Sequence, residues 1–286
     1  MEVLDLSEAT LRFIAFAAIF AAMALLELSH PRLSRPELAG TIKGRRWFTN
    51  LSMVVLSAII LRLIFPAAAV GTAIWAETTG FGLFNKIEVN PILAGLVAFI
   101  VLDFAVWLEH VASHKFSILW RIHRMHHSDT GFDVTTALRF HPLEIVLSMF
   151  WKASIVVLLG APAVAVLLFE VVLNGTAMFN HSNFDLPRSL DRRVRLFLVT
   201  PDMHRVHHSS NPMETDTNYG FNFPYWDRIF GTYLDQPSLG HQKIDIGLTE
   251  FSGQKTANLV WALAVPFKRL ASNRKREQNP ANSAKP

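Results

Sequence analysis

Along the chain, apolar residues pool into long runs separated by short polar connections. Leu11 to Leu28 is free of charge except for Arg12 and Glu27 near its ends, Asn50 to Val70 except for Arg62, and Pro91 to Leu108 except for Asp103. Runs of this length predict helices that cross a bilayer, for which about 20 apolar residues suffice. Ile145 to Gly160 and Ala161 to Phe179 form a pair split at Gly160-Ala161-Pro162, which predicts a helical hairpin with Lys152 and Glu170 as its polar exceptions. The pattern is that of an all-α integral membrane helical bundle with four to five spans, hairpin included. Residues 182–255 are polar, hold turn signals such as Asn211-Pro212 and Gly220, and are expected to cap the bundle.

The flanks refine this picture. Glu2, Asp5 and Glu8 stand where a cleaved signal would carry basic residues, so the first run is expected to remain as a span. Leu259 to Phe267 is too short to cross and is broken by Pro266; it reads as an interfacial helix beside Lys268 and Arg269. From Ser272 the tail is polar and expected to be disordered. The chain thus divides into N-terminal transmembrane helices (1–90), a histidine-bearing catalytic domain (91–255), and an interfacial helix with a basic tail (256–286).

Charge sets the orientation. The connection after the first run holds Arg32, Arg35, Lys43, Arg45 and Arg46, whereas the loop at 71–90 has Lys86 against Glu77 and Glu88. By the positive-inside tendency the first of these is cytoplasmic. Alternation then places the N-terminus and the 71–90 loop outside, and everything from His110 onward, apart from the hairpin, on the cytoplasmic face.

That face collects the histidines. Two stretches, His123-Arg124-Met125-His126-His127 and His204-Arg205-Val206-His207-His208, both read H-x-x-H-H, and His110 and His114 share the offset of four. On a helix, offsets of three and four fall on one face, so each triplet is expected to supply half of a metal site. Packing alone has no use for such clusters, whereas neutral imidazole is the commonest side-chain metal ligand. His30 and His241 stand apart and read as hydrogen-bonded core or interface residues.

Composition narrows the chemistry. With no cysteine, thiolate zinc sites, iron–sulfur clusters and thiolate-ligated haem are excluded. No G-x-G-x-x-G or Walker sequence is present. The sequence pI of about 9.5 reflects loop and tail charge suited to an anionic leaflet, and no interleaved aromatic and basic groove suggests nucleic acid. Eight or nine imidazoles exceed the needs of one ion and imply two, each with a position open to oxygen or water. The triplets include no bridging carboxylate of the kind hydrolytic zinc pairs use, so iron able to activate dioxygen is the better match.

The order H-x-x-x-H, H-x-x-H-H, H-x-x-H-H among spans resembles the fatty acid hydroxylase and sterol desaturase superfamily. The blocks His126-His127-Ser128-Asp129, Thr135 to Glu144, Asn180 to Asn183, Thr200 to Ser209 and Asn218 to Tyr233 resemble it too, and together the matches cover about residues 90–235. The resemblance implies a membrane-bound non-haem di-iron oxidoreductase that hydroxylates a fatty acyl or sterol-like lipid C–H bond. Its oxidant would be O2, and its electrons would come from a separate ferredoxin, cytochrome b5 or reduced pterin. It implies His110, His114, His123, His126, His127, His204, His207 and His208 as iron ligands, with His181 a ninth.

Other members carry a further histidine near position 181 where this chain has Asn180, which leaves one coordination position unassigned. His141 directly precedes Pro142, which disfavours helical geometry there; it stays open between a ligand, a hydrogen-bonding neighbour of the site and the start of the hairpin. Asp103, seven residues before His110, is expected to hydrogen-bond a ligand imidazole and hold its tautomer, the other reading being an ion pair with Arg62. Glu109 points about 100° away on a helix and reads as a rim or salt-bridge residue. Tyr219, Trp226, Asp227, Arg228 and Tyr233 read as packing that docks the cap. Substrate would enter from the bilayer, either the bacterial inner membrane or the endoplasmic reticulum, and the basic face would dock an acidic electron donor. Desaturation or stepwise methyl oxidation uses the same ligands. A metal-handling protein without catalysis would place its polar residues in mid-span rather than at helix ends.

Overall fold

The computed structural model describes residues 8–34, 39–251 and 253–268. Helices α1 (Glu8–Ser29), α2 (Thr41–Ile64), α3 (Ala68–Thr79), α4 (Pro91–Lys115), α5 (Ser117–His127), α6 (Pro142–Leu159) and α7 (Ala163–Asn180) are joined by short connections. The cap adds α8 (Arg188–Val194), α9 (Pro201–His207), α10 (Pro212–Thr215) and α11 (Tyr225–Ile229), and α12 (Leu259–Ala264) follows. Among the described residues there is no strand, only the isolated bridges Pro31–Phe184, Ser209–Ile246 and Leu248–Phe251. Five apolar segments (9–29, 41–85, 91–115, 142–159 and 163–180) are long enough to cross a membrane.

Local chemistry sets the helix ends. Asn90 caps α4 by accepting the amides of Ile92 and Leu93, and Pro91 occupies the first helical position, where its missing N–H costs nothing. His141 caps α6 in the same way, its Nδ1 accepting Leu143 N at 3.1 Å ahead of Pro142. Gly160, with φ of 64°, ends α6, and Pro162 opens α7, so the predicted hairpin turns where its sequence breaks. A Cβ on Gly82 would lie 2.3 Å from Gly160 N, so the connection before α4 touches the hairpin turn. Both lie at the end of the bundle opposite the histidines. The apolar core between α3, α4, α6 and α7 is built from Ala73, Leu102, Met149, Val156, Val166 and Phe169.

Several elements differ from the sequence pattern. The 71–90 stretch is helical through Thr79: Pro66 breaks the second run, but the small residues Ala69, Ala73 and Ala76 continue it as α3, buried against α6 and α7. Arg46, counted above among loop cations, lies in α2 and is buried in ion pairs with Asp129 (2.7 Å) and Asp133 (2.6 Å), so only Lys43 and Arg45 of that helix turn remain exposed. The expected interfacial helix is the short, six-residue α12 followed by a 3-10 turn, Val265–Phe267; Ala262 and Val265 are buried with Met53 and Met125 while Val260 and Phe267 stay exposed. His30 is exposed, contacting Ser29 Oγ at 2.9 Å, whereas His241 is buried beside Asp202 at 3.4 Å. Arg35, Arg269 and the tail from Ser272 lie outside the described residues.

Candidate metal centre

The eight histidines of the three clusters and His181 converge where α4, α5, α7 and α9 meet. α9 is short and well capped: Thr200 Oγ1 accepts Met203 N, Pro201 opens the helix, and His208 closes it. α5 ends at His127, with Ser128 as its cap. The imidazoles form two groups. His110, His114, His123, His127 and His207 make one; His126, His181, His204 and His208 make the other; within each, the ligand nitrogens all lie within 4.8 Å of one another.

Neither triplet supplies half a site. Each divides between the groups, the first and last histidine going one way and the middle one the other. Helical geometry explains this: at about 100° per residue, an offset of four returns to within about 40°, while offsets of three and four differ by about 100°. One group therefore takes the i, i+4 pair of α5 and the i+3 histidine of α9, and the other takes the reverse. His110 and His114 complete the first, and His181 completes the second.

The protonation pattern shows what these groups are built to hold. Nδ1 of His110 donates to Tyr219 O (2.7 Å), that of His181 to Ala177 O (2.8 Å), that of His207 to Thr217 O (2.7 Å) and that of His126 to Arg139 O (3.3 Å), while His123 Nδ1 meets Glu144 Oε1 at 2.6 Å. A neutral imidazole has one N–H, so in each of these rings Nε2 is left as an inward lone pair. Yet His110 Nε2 and His123 Nε2 lie 3.2 Å apart, and so do His126 Nε2 and His181 Nε2. Two lone pairs cannot hydrogen-bond each other. A cation between them resolves the conflict, since two nitrogens each about 2.0–2.1 Å from one ion stand about 3 Å apart. His123 and His181 are the hubs, His127 adding a second 3.2 Å contact to the first and His204 a 3.1 Å contact to the other. His114 Nε2, His207 Nε2 and both nitrogens of His208 are buried with no hydrogen-bond partner among the described residues. The residues present fit two metal ions.

Burial, reinforced by neighbouring imidazoles, holds His126, His127, His204 and His208 well below the usual histidine range. Burial also brings His181 down to about 4 and, with His123 beside it, His207 to about 3. These rings stay neutral at neutral pH, the form that ligates metal.

A polar layer supports the centre. Arg139, fully buried, donates to Met125 O, Asn50 Oδ1, Ser128 Oγ and Thr256 O, tying the end of α5 to α2 and to the turn before α12. Burial alone would raise the Asp129 carboxyl, but Arg46 and Arg139 outweigh it and hold the group well below the usual range. The ring of Phe140 stacks on His126 at 4.3 Å, and that of Phe221 lies 4.8 Å from His110.

Two of the expected site residues stand elsewhere. Asp103 accepts the indole N–H of Trp226 (2.7 Å), and neither an imidazole nor Arg62, which bonds Pro66 O, is its partner. The contact is reciprocal, because Trp107 of α4 donates its own indole N–H to Asp227 (3.0 Å). Asp227 also accepts Tyr219 N and Gly220 N, and Tyr219 O in turn holds His110. Asp103 thus locks the 219–230 loop onto α4, and the loop aims a histidine. His141 caps α6 and meets Leu263 O at 3.2 Å, outside both groups. Glu109 accepts Ser148 Oγ at 3.1 Å.

Glu144 escaped the sequence reading although it closes the block Thr135 to Glu144; a carboxylate in the first turn of an apolar helix was the available signal. Its hydrogen bond fixes the tautomer of the hub His123, and losing such a partner typically costs 10- to 100-fold in metal affinity. Glu144→Gln is expected to weaken metal retention against a chelator by about that factor.

Residues 95–232 match the family model of fatty acid hydroxylase. Ornithine lipid hydroxylase OlsE of Rhizobium tropici is 31% identical over 174 residues, 61% of this chain and 50% of that protein. Alkylglycerol monooxygenase of Homo sapiens is 31% identical over 157 residues, 53% of this chain and 32% of that protein. Cholesterol 25-hydroxylase-like protein 1, member 2, of Danio rerio is 26% identical over 227 residues, 70% of this chain and 78% of that protein. The chain spans half or less of the length of the first two. No solved structure is significantly similar.

Proposed function

Residues 95–232 are a fatty acid hydroxylase domain, and from that premise we propose that the chain is a membrane-bound di-iron enzyme that hydroxylates a lipid C–H bond with O2. The observation that carries this reading is the pair of convergent histidine groups, eight of whose nine residues are buried. Two bound irons would supply dioxygen activation and the transfer of one oxygen atom to carbon, the second atom leaving as water with two electrons from an external donor.

The chain's own residues do the rest. His110, His114, His123, His127 and His207 would hold one iron and His126, His181, His204 and His208 the other. Tyr219 O, Thr217 O, Ala177 O and Glu144 keep their rings aimed inward. Phe140 and Phe221 flank both groups with apolar surface, which excludes water and suits an alkyl chain. The substrate would arrive laterally, because the centre lies at the ends of apolar helices. Relatives named for ornithine lipid and alkylglycerol support a membrane lipid as substrate. Basic residues after the first span favour a cytoplasmic centre, reduced there by a ferredoxin, cytochrome b5 or reduced pterin.

The test is lipid analysis of membranes from a host expressing the chain, beside one expressing His207→Ala. A lipid carrying one added oxygen, present only with the unaltered chain, is the expected result. A product lacking two hydrogens would move the assignment to desaturation, which the same ligands support, and an unchanged lipid profile would contradict both.

A further inference from the structure

We infer that part of the cap is itself immersed in the bilayer: the 221–230 loop, together with the segment from α8 to Phe197, forms an interfacial wedge whose partner is the apolar and headgroup region of the membrane. The proposal rests on the membrane reading above and deepens it, because the sequence pattern places this whole polar region in water.

Depth along α4 carries the argument. His110 marks the level of the metal centre, and a helix rises about 1.5 Å per residue. Phe223 packs against Phe99 (6.1 Å between rings), Trp226 and Phe230 against Phe104 (4.9 and 5.9 Å), and Phe230 against Trp107 (4.8 Å). The loop therefore runs beside the span from just below His110 to about 16 Å beneath it. Its anchors suit such a depth: Trp226 to Asp103 and Trp107 to Asp227 satisfy two carboxylates and two indoles against each other.

The outer face of the loop is apolar and uncovered. Ile229 is 67% exposed and Phe230 54%, and no described element covers them. The same face continues sideways, since Arg228 donates to Arg195 O and Val199 N to Asn222 O. There Leu190, Leu196 and Phe197 are exposed, Phe197 by 62%. Beside them Arg188, Arg192 and Arg193 are exposed and form no ion pair among the described residues. Large apolar side chains bordered by free arginines match a monotopic membrane contact, the rings entering the acyl boundary and the guanidinium groups meeting lipid phosphates.

The chain has no cysteine, so single labels can be placed cleanly. Phe197→Cys, Ile229→Cys, Leu96→Cys on the exposed side of α4 and Lys243→Cys on the cap would each carry an environment-sensitive fluorophore in vesicles of phosphatidylcholine and phosphatidylglycerol. Labels at 197 and 229 are expected to lose quenching by aqueous iodide and gain it from a nitroxide near the headgroup end of the acyl chain, with the label at 243 behaving oppositely. Iodide quenching at 197 and 229 equal to that at 243, with the label at 96 reporting lipid, would overturn the wedge alone. A label at 96 open to iodide would overturn the membrane reading and the wedge with it.

Discussion

His204→Ala and His207→Ala are each expected to abolish turnover, lowering it by more than the 10- to 100-fold that loss of a ligand's hydrogen-bond partner costs. The two changes act on different groups. His204 belongs to the four-histidine group, where its Nε2 lies 3.1 Å from that of His181; His207 belongs to the five-histidine group, where its Nε2 is one of the buried, unpartnered nitrogens. An oxygen transfer that needs both ions fails with either. Because His204 and His207 are buried among apolar and imidazole neighbours, each alanine also leaves a small void, so folding should be read beside activity by thermal melting. An intact melt with no hydroxylated product is the expected pair of results, and near-normal turnover in either variant would remove that histidine from the centre.

Arg139→Met is expected to be the most destabilising single change outside the ligands. The guanidinium is fully buried, and four acceptors from three segments converge on it: Met125 O and Ser128 Oγ at the end of α5, Asn50 Oδ1 of α2 and Thr256 O. Burial lowers its pKa to about 10, partly opposed by Asp129, so it remains charged at neutral pH. Methionine fills the volume but leaves those acceptors and Asp129 without the charge, and breaking a buried charge network from one side typically costs about 3–5 kcal/mol. That is a large fraction of an ordinary domain's stability. Denaturant or thermal unfolding in detergent checks it. A loss under about 1 kcal/mol would mean that the end of α5 is held elsewhere.

The spans and the convergence of the histidines could be read from sequence for one physical reason. Apolar runs such as Pro91 to Leu108, and imidazoles spaced by three and four, are periodic signals that survive without knowledge of tertiary structure. What failed depended on partners. Asp103 pointed to a buried carboxylate, but only the fold brings Trp226 to it from more than a hundred residues away. Arg46 looked like a loop cation because nothing in its neighbourhood announces Asp129 and Asp133. The division of each triplet is a different kind of miss. The angle separating His126 from His127 on a helix was available, and it already argued against three ligands on one ion.

The most direct test of the account is the metal content of the purified, detergent-solubilised chain, measured beside two double variants. The unaltered chain is expected to carry about two irons. His127→Ala with His207→Ala, both from the five-histidine group, should keep about one, whereas His126→Ala with His207→Ala, one from each group, should lose both. Zinc in place of iron, or no stoichiometric metal in the unaltered chain, would contradict the di-iron reading. Equal loss in both double variants would contradict the division of the triplets.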